Sequence, residues 1–448
     1  MGKLSFNAVC EYIKPVNMPD KFAGAYEKWN GEGHVVGEKE LDDILVRYSL
    51  TDDQSKRLHG YLRQITDDEK ICDYIKFLVW TQCDIRRYEY FIDCDNNLNG
   101  AALGELGETL EFFMLLSCIA YARIDLENRM IPKELYEQIP YRMLDEIMER
   151  YQKKETLRIL DIPWKLNFFS LSIYLFDRFL FVPCKFDDPY YFYRSEDGEV
   201  IGIAMDGLNV DDMGQLIPED EELADPNGEK NGYYFGRFSE KRKTAFTTTF
   251  KETDTEIIGN RISPCGTITT KTIILSKEKY KKILERDDWM IGFHIPSGDG
   301  YTPQRVRNSM TLAWKFFERY YPEIPFKGFW SSSWLYDGRL STLLPDDSNI
   351  VKVQRQFFNY TGGWNGESTY YELFGDAKLL IDEVPQESSL QRKLAQCLKG
   401  GKKFIDTGMV YFPEELNKDY NRPIYITDED LKEQDELYVR TGWKGGTS

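Results

Sequence analysis

Trp289-Met-Ile-Gly-Phe-His294, continuing as Ile-Pro-Ser-Gly-Asp-Gly-Tyr301 and then Thr302-Pro303, is the stretch that decides how this chain is read. From Asp287 to Pro296 the residues alternate as in a strand, with Trp289, Ile291 and Phe293 on one face and Met290, Gly292 and His294 on the other. Ser297-Gly-Asp-Gly-Tyr301 is a glycine-containing loop. Thr302 is suited to cap a helix, Pro303 to sit in its first turn, and Val306, Met310, Ala313, Phe317 and Tyr320 fall on one apolar stripe. Strand, glycine loop and amphipathic helix follow in order. Glycines that allow close backbone approach, set before a helix N-terminus with its orphan N–H groups, make an anion cradle or simply a turn.

Working downstream, Phe326 to Ser333 reads as a strand, Trp334 to Leu344 as a short helix and Ile350 to Phe358 as another strand. Ser388-Ser-Leu-Gln391 opens a helix that Gly400-Gly401 stops, and Lys403 to Phe412 returns as a strand. Upstream, strands are expected at Arg178 to Pro183, Tyr190 to Arg194, Val200 to Met205, Thr244 to Phe250 and Thr267 to Leu275. Before Leu157 the texture is helical. Thr51-Asp-Asp-Gln54 and Thr66-Asp-Asp-Glu69 are expected capping boxes, Leu106 to Ile124 is a helix, and Lys133 to Tyr151 is a helix interrupted at Pro140. The expectation is an α+β protein: a mostly helical domain over residues 1–156, a mixed α/β domain over 157–413, and an acidic, peripheral tail over 414–448.

A 448-residue chain of 42% hydrophobic residues has enough apolar surface for more than one core. Its net charge of −18 argues against nucleic acid, whose phosphates require a basic face. The acidic residues concentrate between Asp211 and Glu229 and between Glu414 and Glu436, where a solvated surface is the plain reading. Eight cysteines, Cys94 among them, are scattered without a CxxC pair, as in a cytoplasmic protein with reduced thiols. Three dispersed histidines, His34, His59 and His294, do not suggest a zinc site, and no metal is expected. The most apolar runs, Phe112 to Ala122 and Phe168 to Phe181, fall short of the roughly 20 residues that span a bilayer, and the second contains Asp177 and Arg178.

Several short motifs then stand in a telling order: His294-Ile-Pro296, Ser309, Phe316-Phe317, Tyr321-Pro-Glu323, Ser333-Trp-Leu335, Ser348-Asn-Ile350 and Gln354-Arg-Gln-Phe357. Ser389-Leu-Gln-Arg392, Gly400-Gly401 and Thr407-Gly408 follow, and Ile131 to Tyr136, Trp164 and Phe176-Asp-Arg-Phe-Leu-Phe181 precede. In these elements the chain resembles a bacterial two-domain GNAT-like acyltransferase family. The segment from Tyr190 to about Tyr280 is longer than the family pattern, and the first 50 and last 35 residues lie outside it. The resemblance implies an acyl-CoA or acetyl-CoA cosubstrate, its pyrophosphate on backbone N–H groups and its thioester where two strands splay apart. It implies acyl transfer to an amine of a small-molecule acceptor.

On that reading Ser297, Gly298, Asp299, Gly300, Tyr301 and Thr302 bind the cosubstrate, His294 is the base and Tyr336 the acid. Each has a plainer alternative: a turn, a histidine that anchors the loop, a tyrosine that packs. Lys399, Lys402 and Lys403 either hold a CoA phosphate or are merely solvated. Ser331-Ser-Ser333 lacks the Gly-x-Ser-x-Gly frame of a nucleophile elbow. The competing function is a non-catalytic GNAT-like scaffold that binds a small ligand or a protein partner.

Overall fold

Helix caps set the first part of the chain. Thr51 accepts from the Gln54 N–H at 3.2 Å while the Gln54 side chain takes the Thr51 N–H at 3.1 Å, so Asp52–Asp67 starts as its sequence indicates. The second expected box is displaced. Thr66 lies inside that helix and donates to the Arg63 carbonyl, and Asp68 caps the next helix, Glu69–Gln82, through the Lys70 and Ile71 N–H groups. A carboxylate directly before the helix competes better for those donors than a hydroxyl two residues back. Pro140 does not kink a helix: Lys133–Leu135 is a single 3-10 turn, and a separate helix, Tyr141–Lys154, begins after the proline.

The structure, a computed structural model, describes residues 5–93, 96–219, 221, 223, 238, 240–362, 366–375 and 379–443. Cys94 and, within the acidic run between Asp211 and Glu229, residues 220, 222 and 224–229 lie outside them. The chain divides into two compact units, Met1–Leu175 and Phe176–Ser448, so the helix Ile162–Phe169 stays with the first. At the middle of that unit Leu110–Asn128 is buried on nearly every side, and Phe77 gathers Phe6, Phe22, Tyr26 and Trp29 at ring distances of 4.9 to 6.0 Å. Among the described residues no helix is long and apolar enough to cross a membrane.

The second unit holds two six-stranded sheets. The first runs Phe358–Thr361, Thr407–Tyr411, Phe329–Ser333, Trp289–His294, Phe179–Lys185, and the short edge strand Tyr174–Phe176, which spans the division between the units. The second is antiparallel and comes from the long segment after Tyr190: Thr267–Ser276, Glu256–Ser263, Val200–Ala204, Tyr190–Ser195 and Tyr280–Leu284, with Phe250–Glu252 beside Glu256–Ser263. Phe192, Ile262 and Leu284 of this sheet share one core with Met290, Phe358, Tyr360 and Val410 of the other. Asp188 is sealed there, accepting from the Trp330 indole at 2.8 Å and the Tyr360 hydroxyl at 2.6 Å, and burial raises its carboxyl above the usual range. The mixed α/β sheet and the helical first unit are those of the expected α+β class.

Several elements depart from the sequence reading, and Thr244 to Phe250, expected as one strand, holds two short ones in different sheets, Phe246–Thr247 and the start of Phe250–Glu252. Glu256–Ser263 is a strand despite Gly259-Asn260 at its middle. Both residues pair in register, with Ile273 and Thr272, the ladder shifts only between Asn260 and Ile262, and the Asn260 side chain accepts from the Thr249 N–H at 2.8 Å. Ile350 to Phe358 is not one strand: Ser348 caps a helix, Asn349–Gln354, and pairing starts at Phe358. The tail is not peripheral throughout, because Asp428–Arg440 is a helix whose buried Asp430 pairs with Arg261 at 2.6 Å.

Glu111, in the first unit, is 1% exposed and accepts from the Leu98 N–H at 2.8 Å and the Asn99 amide at 2.7 Å, yet desolvation outweighs these bonds and pushes its carboxyl up to about 7. A carboxyl raised by folding adds stability below its unfolded value, about 4.5, and loses it as pH rises through about 7. The wild-type chain is expected to lose on the order of 3 kcal/mol between pH 5 and 8 from this group. Glu111→Gln should flatten that slope in urea titrations followed by far-ultraviolet circular dichroism. Equal slopes in both chains would remove Glu111 as the source.

Candidate active site

Two parallel strands, Trp289–His294 and Phe329–Ser333, stand at the centre of the first sheet. Their pairing is confined to Ile291 opposite Phe329 and Gly292 opposite Trp330, secured by a 2.9 Å bond from the Ile291 N–H to the Gly328 carbonyl. Past this point each strand keeps only its outer neighbour. His294 still stands opposite Leu180, and Ser333 opposite Thr407. The sheet is therefore open between the carboxyl ends of the two strands, with backbone groups along both edges that no ladder uses.

The glycine loop leaves the first of these strands and enters the helix Pro303–Tyr320, whose Arg305 N–H is capped by the Thr302 hydroxyl at 3.3 Å. Gly298 and Gly300 have φ of +115° and +93°, conformations that other residues adopt only with strain. A Cβ on Gly300 would strike the Arg305 guanidinium, whereas one on Gly298 would meet nothing within 4 Å, so the loop has one packed and one open side. Arg178 holds the loop. Its guanidinium donates to the carbonyls of Pro296, Gly298 and Asp299. Because no peptide is cis, the N–H groups of Ser297, Asp299 and Gly300 point away from Arg178. Arg305 in turn binds Asp177, with 2.6 Å from Nε to Oδ2. The loop thus turns donors outward at the positive end of a helix, which suits a phosphate.

Aromatic rings line the same end of the sheet. Phe293 meets Phe179 at 5.2 Å and Phe357 at 6.3 Å, Tyr336 stands perpendicular to Phe357 at 5.5 Å, and Tyr301 lies 6.3 Å from Phe179. Tyr336 is fully buried and donates to the Ser331 hydroxyl at 3.1 Å. Burial, reinforced by the neighbouring Tyr336, keeps the Tyr301 phenol well above its ordinary range, and burial does the same to Tyr336. Both are proton-bearing at neutral pH. His294 keeps some surface, but packing around it lowers its imidazole to about 4, so it is neutral and able to accept a proton.

The structure brings Tyr301, Tyr336 and Ser331 together. The strand's alternation gives His294 the parity of Met290, which faces the second sheet, while Phe293 faces the tyrosines. The three lysines do not converge on the loop. Lys399 pairs with Asp382 at 2.7 Å, and Lys402 and Lys403 precede the strand Thr407–Tyr411, across the Ser333 strand from the glycines. Trp334 to Leu344 forms two short 3-10 turns, and between them Asp337 accepts from Arg339 Nε at 2.7 Å and the Ile405 N–H at 2.9 Å, fixing the turn that carries Tyr336. The sequence reading assigned no role to Arg178, Ser331 or Asp337. For Arg178 a signal existed: Asp177-Arg178 interrupts an otherwise apolar run. Among the described residues no group of three or more His, Cys, Asp or Glu is placed to hold a metal ion.

Residues 233–410 match the family described as the GNAT-like C-terminal domain. No curated protein matches the chain. Among solved structures, an acyltransferase in complex with decanoyl-CoA superposes with a TM-score of 0.52 at 13% identity, covering 92% of this chain and 100% of that one. A mutant acyltransferase in complex with octanoyl-CoA gives 0.51 at 15% identity, covering 92% and 100%. An acyltransferase in complex with decanoyl-CoA and teicoplanin gives 0.50 at 15% identity, covering 91% and 99%. Residues 233–410 are thus similar to the GNAT-like C-terminal domain, and over nine-tenths of its length the chain has the fold seen in these solved structures.

Proposed function

We propose that this protein is a cytoplasmic bacterial acyltransferase that moves an acyl group from acyl-CoA, acetyl-CoA or a longer chain, to an amine of a small-molecule acceptor. The observation that carries the reading is the parting of the two central strands beyond Gly292 and Trp330 while each stays paired on its outer side. A pantetheine arm is an extended amide chain, and unpaired strand edges offer it the hydrogen bonds of a missing strand. The acyl-CoA complexes of structures with this fold support the choice of cosubstrate.

The pyrophosphate is assigned to the loop Ser297–Thr302, where the N–H groups of Ser297, Asp299 and Gly300 and the helix N-terminus meet it. The amine nitrogen attacks the thioester carbonyl carbon, its proton passes to neutral His294, directly or through a water, and the C–S bond breaks. Tyr336 supplies the proton to the departing thiolate. Ser331, which receives the Tyr336 hydroxyl, orients that donor. His294 has the parity opposite to Phe293, whose side of the sheet carries Phe357 and Tyr336, which fits a base on the side of the incoming amine and an acid on the side of the sulfur.

Titration calorimetry with decanoyl-CoA or acetyl-CoA is expected to show one site per chain, and no heat with either would overturn the reading. Binding without turnover of any amine would move the protein to the scaffold class. Arg178→Ala should weaken CoA binding about tenfold by freeing the loop carbonyls, since a single charge-assisted bond contributes roughly 1.5–3 kcal/mol. His294→Ala is expected to lower kcat about 10² to 10⁴-fold. Because His294 is neutral above about 4, wild-type kcat/KM should hold its value down to about pH 5 and fall only below it. A limb near the ordinary histidine value, or full turnover in the alanine variant, would remove His294 as base.

A further inference from the structure

Side chains rejoin the two central strands where their ladder ends. Tyr301 follows Trp289–His294 through the glycine loop, and Tyr336 follows Phe329–Ser333 through a short turn, so the pair spans the opening from its two sides. Three phenylalanines carry the two rings. Tyr301 lies 6.3 Å from Phe179, Phe293 lies 5.2 Å from Phe179 and 6.3 Å from Phe357, and Tyr336 stands 5.5 Å from Phe357. Phenyl rings hold the tyrosines in place and offer their hydroxyls no strong acceptor, so each hydroxyl depends on the few other polar atoms present.

Within this apolar surround the hydroxyls form a line. Tyr336 donates to the Ser331 hydroxyl at 3.1 Å, which commits its one proton. The Tyr301 hydroxyl is buried, and among the described residues no acceptor meets it at full hydrogen-bond geometry; its polar neighbour is the Tyr336 oxygen. Burial is the main reason that both phenols stand above their ordinary range. The contact between them acts in opposite senses, raising Tyr301 and lowering Tyr336, as it does when Tyr301 is the donor. A buried donor held short of its acceptor is costly, and such groups persist where a reaction will use them. Exposure also differs along the line. Tyr336 has no accessible surface and Ser331 is 4% exposed, whereas Tyr301 keeps some surface. A proton that leaves Tyr336 must return through a neighbour, and of its two partners Tyr301 is the one nearer to water.

We propose that Tyr301 is a positioning residue for the acid Tyr336: its hydroxyl donates to the Tyr336 oxygen, steadies the phenolate that forms when Tyr336 protonates the departing thiolate, and hands on the proton that restores it. The inference rests on the acyl-transfer reading. The C–S bond breaks with its electron pair on sulfur, the Tyr336 proton moves to that sulfur, the Tyr301 proton moves to the Tyr336 oxygen, and water returns a proton to Tyr301. The proton that His294 takes from the amine leaves to water, so none is gained or lost over the cycle.

Tyr301→Phe removes the hydroxyl and keeps the ring against Phe179, so the fold is retained. The test follows thiol release from decanoyl-CoA by the full chain with hydroxylamine as acceptor, an amine that is largely unprotonated at neutral pH, in water and in mixtures with deuterium oxide. The variant is expected to lower kcat about 10- to 100-fold, the loss of one hydrogen bond to a developing charge, with the KM for decanoyl-CoA unchanged. The dependence of kcat on deuterium content should be curved in the wild-type chain, where two protons move together, and straight in the variant. Tyr301→Phe added to Tyr336→Phe should cost nothing further, because Tyr301 acts only through Tyr336. Full turnover in Tyr301→Phe, a loss carried by KM, equal curvature in both chains, or additive losses in the double variant would overturn the proposal and leave acyl transfer standing. A wild-type chain that binds decanoyl-CoA and releases no thiol would overturn acyl transfer, and the role of Tyr301 with it.

Discussion

The ladder between the strands Trp289–His294 and Phe329–Ser333 ends after two residue pairs, and the rest of the second unit is arranged around that early end. A gap inside a sheet costs free energy unless each bordering strand is held from its other side, because an unpaired buried N–H or carbonyl loses its water without replacement. Here Phe179–Lys185 pairs along the whole of the first strand and Thr407–Tyr411 along the whole of the second. The helix Pro303–Tyr320 packs from one face, through contacts such as Trp314 on Phe329, and the second sheet closes the other through the core that contains Met290, Tyr360 and Val410. The opening is a stable feature because everything beside it is over-determined.

Burial does most of the chemical tuning around this opening, and it acts in opposite directions on opposite kinds of group. The same low-dielectric surroundings that lower the His294 imidazole raise the phenols of Tyr301 and Tyr336, since in each case the charged form is penalised. A neutral acceptor and two neutral donors result at neutral pH. The long insertion after Tyr190 contributes to this by excluding water: its sheet covers the face that would otherwise be open beneath Trp330 and Tyr360, and Asp188 fixes both rings by accepting from each.

The polar hardware of the loop works at longer range in the sequence. Asp177 and Arg178 sit in the turn before Phe179, more than a hundred residues from the glycines, yet Arg178 takes three loop carbonyls and Asp177 takes Arg305 from the helix that follows. Fixing the carbonyls on one side fixes the N–H groups on the other, because a trans peptide is rigid. The loop's shape is thereby a property of the hairpin against which it lies as much as of its own glycines.

Local order along the chain was legible from residues alone. The caps at Thr51, Thr302 and Ser388, the alternation through Phe293 and the α+β class depend on neighbours within a few positions, where hydroxyl-to-backbone bonds and side-chain periodicity act. Reading failed where distant partners override local preference. Gly259-Asn260 became part of a strand because Thr249 and Phe250 lie against it, Ile350 to Gln354 became helix once Ser348 capped it, and the acidic tail was recruited by Arg261. The motifs already singled out His294, Tyr336 and the glycine loop. That the central strands part, that Tyr301 and Ser331 join Tyr336, and that His294 takes the opposite parity were decided only in three dimensions. Strand register and the meeting of side chains far apart in sequence are properties of packing, which no local pattern encodes.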